Sequence, residues 1–268
     1  MAMRHVFSAL LLILATAAPA RAEEKRDFCT ERPGLGEPPC TLEPGSFALD
    51  VGLADWTLER DAETRTDTIL AGDLLLRMGV ADHAEIQLGW TPYGHVRTRD
   101  RASGAVSRVA RAGDVTLLLR RNLMHPDGSG TSIAVMPFAS LPAGRMPVGA
   151  GDWGAGLIVP MSFDLTDKLS LGLSPEIDAA VDEDGDGRHL AYGSVIGLNA
   201  DLSETVFATL ELSARRDEDP AGHESEWLGG LSMGWLKTDD LQFDIGTNVG
   251  LNQASPDVEL YAGFSRRF

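Results

Sequence analysis

From Asp257 to Phe268 the chain alternates. Val258, Leu260, Ala262 and Phe264 fall on one face of an extended strand, and Asp257, Glu259, Tyr261, Gly263 and Ser265 on the other. Successive side chains of a strand point to opposite sides, so a period of two lets one face meet an apolar phase while the other meets water. A helix would need apolar residues three and four apart, which this segment does not have. An alternating last strand closed by an aromatic residue is the expected end of a barrel that crosses lipid, and Phe268 is read as its assembly signal.

The same period recurs upstream. In 205–215, Val206, Ala208, Leu210, Leu212 and Ala214 alternate with Thr205, Phe207, Thr209, Glu211, Ser213 and Arg215. In 241–252, Leu241, Phe243, Ile245, Val249 and Leu251 alternate with Gln242, Asp244, Gly246, Asn248, Gly250 and Asn252. A short hinge of apolar, polar, acidic and polar residues repeats at 80–83, 165–168, 202–205 and 236–239, and is read as tight periplasmic turns. Between the hinges lie the longer stretches 60–66, 98–109, 143–150, 182–188, 216–224 and 253–256, expected as extracellular loops. This spacing predicts an all-β transmembrane antiparallel up-and-down barrel of about twelve strands. They run near 46–59, 67–80, 83–97, 110–123, 130–142, 151–164, 168–181, 189–201, 205–215, 225–236, 240–252 and 257–268. Trp90, Trp153, Trp227 and Trp235 fall near strand ends, where a membrane interface favours aromatics.

Ahead of the barrel, a basic start (Arg4, His5), an apolar run from Val6 to Ala18 and the exit Ala20-Arg21-Ala22 predict a signal peptide over 1–22. Residues 23–45 then form a periplasmic segment, and 46–268 the barrel. Cys29 and Cys40 flank the stretch RPGLGEPP, and in an oxidising envelope they are expected to close one small disulfide loop. No His lies between Asp27 and Pro44, which leaves a metal there short of ligands. The formal charge is −17, and loss of Arg4 and Arg21 makes it more negative still, so nucleic acid is excluded as a partner.

The segments FCTERPGLGEPPCTLEPGSFALDVGLADWT and TDTILAGDLLLRMGVADHAEIQLGWTPYG resemble the outer-membrane transporter family named for the MetA pathway of phenol degradation. The likeness spans most of the chain and is specific mainly in residues 28–95. It implies a barrel that passes small solutes, aromatic or other hydrophobic compounds among them, with no catalytic set to carry over.

The strand faces assign Asp50, Asp73, Arg77, Glu85, Asp114, Arg120 and Asp152 to the lumen. Glu176, Asp178, Glu211, Arg215, Asp244, Asp257 and Glu259 complete the set. A channel lined mainly by acids concentrates cations, whereas internal pairing of the same groups would fill a lumen that hardly conducts. VDEDGDGR places Asp182, Asp184 and Asp186 as a candidate calcium loop, although the twelfth position of that register is Gly193 and no helices flank it. His223 and Ser225 share a face, a pairing a lipid acyl hydrolase could use. His83, His95, His125 and His189 show no ligand spacing and are expected as solvated or girdle residues.

The expectation is therefore a monomeric or weakly oligomeric barrel in the cell outer membrane, a passive pore for small solutes with an acidic hydrated lumen, gated by 98–109 and 216–224. It is not expected to be an enzyme or to need a cofactor. Its partners are outer-membrane lipid, the barrel-assembly machinery and a small-molecule solute. The alternatives are the hydrolase using His223 and Ser225, and a closed structural barrel with binding loops.

Overall fold

The computed structural model describes residues 26–185 and 187–268, so the expected signal peptide and Asp186 lie outside the described residues. Among the described residues sixteen β-segments follow one another without a helix. The first staves are β1 (Phe47–Arg60), then β2 (Thr64–Ala71) running on into β3 (Asp73–Ala81), and β4 (Ala84–Trp90) running on into β5 (Tyr93–Asp100). Next come β6 (Val106–Arg111) with β7 (Val115–Met124), β8 (Thr131–Leu141), and β9 (Gly154–Ile158) with β10 (Met161–Thr166). Single segments follow: β11 (Leu169–Val181), β12 (Arg188–Asp201), β13 (Val206–Asp219), β14 (Gly222–Thr238), β15 (Leu241–Gly250) and β16 (Val258–Arg267). These make twelve staves, each antiparallel to its neighbours, and β16 returns to β1 with Phe264 opposite Val51 and Arg266 opposite Leu49. The ring is closed, which removes the unpaired sheet edge that lipid cannot satisfy.

All four short hinges are turns, between β3 and β4, β10 and β11, β12 and β13, and β14 and β15. At the opposite end the strands run further than polarity suggested. β13 and β14 continue to Asp219 and Gly222, so most of the expected loop 216–224 is paired strand. Likewise β5 reaches Asp100 and β6 starts at Val106 within the stretch expected as loop 98–109. Beyond the lipid both faces of a hairpin meet water, so charge no longer marks a strand's end.

Polarity is inverted relative to a water-soluble protein. Leu76, Ile86, Leu117, Leu210, Leu231 and Ile245 stand exposed around the outside. Arg77, Glu85, Gln87, Arg120, Asn122 and Gln242 are buried within. The four tryptophans singled out at strand ends are all on the outside.

The wall is bent along one line. β1 carries a bulge between Gly52 and Ala54. The next three staves break at Gly72, at Thr91–Pro92 and at 112–114. Gly72 has φ +70°, where only glycine sits without strain, and Pro92 offers no N–H to a ladder. Across the three breaks pairing resumes in unchanged register, whereas β1 slips by one residue against β16 at its bulge: Asp50 lies inward opposite Ser265, and past the bulge Asp55 stands opposite Tyr261.

Candidate functional site: the barrel interior and the segment inside it

Residues 26–45 form no strand, and Pro33, Pro38 and Pro39 with Gly34 and Gly36 leave their backbone unable to pair with itself. The segment lies inside the barrel, and Cys29 and Cys40 are joined by a disulfide with Cα atoms 6.0 Å apart. Buried backbone groups must find partners, and here the wall's side chains supply them. The Glu211 carboxylate accepts from the amides of Leu35 (2.8 Å) and Gly36 (2.9 Å). Ser174 accepts from the Glu37 amide and donates to the Glu37 carbonyl, both at 3.0 Å. Asn122 donates to the Pro39 carbonyl, Gln242 to that of Arg32, Arg77 to that of Cys29 and Arg267 to that of Arg26. Glu85 accepts from the Leu42 amide at 2.8 Å. Gly34 and Gly36 allow the approach to Glu211, since a Cβ at either would lie 3.0 to 3.3 Å from its carboxylate.

Charge reinforces the contact. Arg32 makes a two-pronged pair with Asp244 at 3.0 and 3.3 Å. Arg77 and Arg120, both fully enclosed, meet Glu31 of the segment at 2.9 and 2.5 Å and Glu85 of the wall at 3.0 and 3.1 Å. Arg120 also reaches Glu37 at 3.1 Å. Burial alone would raise the Glu31 carboxyl, but Arg120 and Arg77 outweigh it and hold it at about 2. Glu37 goes the other way, pushed well up by burial and then by neighbouring Glu31. Glu31 thus sits between two guanidinium groups, with Glu37 against Arg120 on the same side.

A second inward element closes on the other side. The loop 142–153, between β8 and β9, lays Val148 over Gly94, where an added Cβ would meet its side chain. Its backbone is gathered by Asp114, whose carboxylate accepts from Gly144 (2.8 Å), Ala150 (2.7 Å) and Gly151 (3.2 Å). Between the segment and the wall lies a cavity of about 340 Å³, bordered by Leu75, Leu118, Asp55, Asp114, Glu259 and Tyr261 as well as Glu31 and Arg32.

Of the residues assigned to the lumen, Asp50, Arg77, Glu85, Arg120, Glu211 and Asp244 are buried around the segment. Asp73 accepts from Thr91, Glu259 accepts from Asn248, and Glu176 and Asp178 pair with Arg215. Asp152 and Asp257 instead form partly exposed pairs with Arg188 and Arg60. A reading based on charge in the strands passed over Gln87, Asn122, Ser174 and Gln242, which hold the same inward parity. It also passed over Glu31, Arg32 and Glu37, which carry no strand period at all. Phe268 donates its amide to the Phe47 carbonyl, beside the seam between first and last staves.

His223 meets Glu218 at 3.0 Å, and Ser225 takes a hydrogen bond from Arg216 at 3.1 Å, so the two side chains are each engaged elsewhere. In the acidic stretch, Asp182 contacts His189. His189 is no solvated girdle residue: it is buried among Asp182, Asp217 and Asp219.

A closed antiparallel ring with an apolar outside and a polar, occupied inside defines a transmembrane β-barrel. The chain belongs to the family described as "Putative MetA-pathway of phenol degradation", which it matches over residues 30–268. No curated protein matches it. Among solved structures it is similar to the NanC porin, at 11% identity and a TM-score of 0.52, covering 81% of this chain and 98% of that one. It is also similar to the translocator domain of the autotransporter NalP from Neisseria meningitidis, at 11% identity and a TM-score of 0.52, covering 84% and 88% of the two chains. At such identities the likeness is one of fold.

Proposed function

We propose that the protein is an outer-membrane transporter for small solutes, aromatic or otherwise apolar compounds among them, whose passage residues 26–45 hold shut until they shift. The observation that carries this reading is the grip on that segment by side chains of β3, β4, β7, β11, β13, β15 and β16, which lie around the whole ring. Such a segment turns an acid-lined conduit from a standing pore into a gated one. The cavity above it, part apolar and part acidic, suits a solute of modest size and mixed polarity.

The test is planar-bilayer conductance of the refolded barrel with and without residues 26–45. The intact chain is expected to give rare, brief openings and the shortened chain steady ones. Equal steady conductance from both would remove the gating role. Silence from a shortened barrel that still migrates in its folded, heat-modifiable form would favour the closed structural barrel.

A further inference from the structure

At the end of the barrel opposite the short turns, the linker from β11 to β12 meets the tall β13–β14 hairpin. His189 lies between them with its side chain only 5% exposed. Its Nδ1 is 2.9 Å from Asp182 Oδ1 and 3.4 Å from Asp219 Oδ2. Asp217 Oδ1 is 2.6 Å from Nε2, yet the buried Nε2 makes no well-formed hydrogen bond. We propose that Asp182, His189 and Asp219 bind a divalent metal ion of the zinc type, with Asp217 as the carboxylate that positions the imidazole.

Three donor atoms, one from each residue, all lie within 4.8 Å of one another. Ligands about 2.0–2.2 Å from a tetrahedral ion stand roughly 3.3–3.6 Å apart, so separations of 2.9 and 3.4 Å need only a slight opening. If Nε2 carries the proton beside Asp217, Nδ1 turns a lone pair toward two carboxylates, and a cation belongs where such acceptors converge. The competing occupant is a proton on Nδ1. The imidazole in the donor set favours zinc over calcium, magnesium and manganese, which prefer oxygen ligands. Access is open, because the group borders a cavity of about 560 Å³ that also carries Glu224 and Glu226.

The calcium pattern at Asp182, Asp184 and Asp186 follows consecutive acids along one loop. The donor set here joins that loop to a different hairpin, so a bound ion would tie two parts of the mouth together.

The experiment is isothermal titration of the EDTA-stripped, refolded barrel with Zn²⁺, Mn²⁺ and Ca²⁺, each variant first checked for heat-modifiable migration. One saturable Zn²⁺ per chain is expected, lost in His189→Ala and in Asp219→Asn, weakened 10- to 100-fold in Asp217→Asn, and not displaced by equimolar Ca²⁺. Zn²⁺ uptake unchanged in folded His189→Ala would overturn the site, as would no uptake by the wild type. Either result would leave His189 as an imidazolium held by carboxylates.

Discussion

Arg120 shows why the interior is both stable and releasable. Removing two guanidinium groups and two carboxylates from water costs several kcal/mol per ion, offset only when every charge has close partners. Arg120 has them on both sides, Glu85 in the wall and Glu31 and Glu37 in the segment. Arg120→Met is expected to cost about 3–5 kcal/mol, because it strands buried carboxylates. The shift should appear in the denaturant midpoint of the folded electrophoretic band, and an unchanged midpoint would mean that water already reaches the pair. Glu31 ties the same cluster to pH. Its folded-state value of about 2 lies below the ordinary 4.5, so its contribution is complete above 4.5 and is lost as pH falls toward 2. Glu37, raised, has the opposite sign, and its contribution fades as pH climbs through its folded-state value. Openings of the intact channel should therefore become more frequent as acid is added through the Glu31 window. Glu31→Gln should open frequently at neutral pH and respond little there. A flat wild-type response would detach Glu31 from gating.

Elements differ in how plainly the sequence announced them. A strand half in lipid and half in water writes its own period, so the turns at 80–83, 165–168, 202–205 and 236–239 and the twelve-stave count are legible in the sequence alone. Residues 26–45 have no period to read, and their partners are far away in sequence: Arg26 meets Arg267 and Leu35 meets Glu211. The inward loop 142–153 was hidden for a related reason, since its retaining contact is one carboxylate on another stave. Asp114→Ala should release that loop. Three amides lose their acceptor but can turn to water, so the loss is expected to be about 1–3 kcal/mol and the barrel should stay folded. New tryptic cleavage at Arg145 with an intact heat-modifiable band is the expected reading. Resistance equal to wild type would show that Val148 over Gly94 suffices to hold the loop.

For the whole molecule, the distribution of charge matters more than its sum. Around the segment the wall is nearly balanced, with Asp50, Glu85, Glu211 and Asp244 facing Arg77, Arg120 and Arg267. Nearer the long-loop end the acids dominate: Asp55, Asp73 and Glu259 border the upper cavity, and Glu176 and Asp178 have Arg215 as their basic neighbour. Taking out residues 26–45 removes Arg32 from Asp244 and two amide donors from Glu211, which leaves those carboxylates facing the conduit. The shortened barrel is therefore expected to prefer cations, read as a reversal potential in a salt gradient. Because the groups concerned would then be hydrated, the preference should shrink as salt rises and the screening length falls from about 10 Å at 0.1 M toward about 3 Å at 1 M. An anion preference would instead mean that Arg77 and Arg120, once freed from Glu31, set the field at the narrowest level, and selectivity would then belong to the wall beneath the segment and not to the acidic mouth.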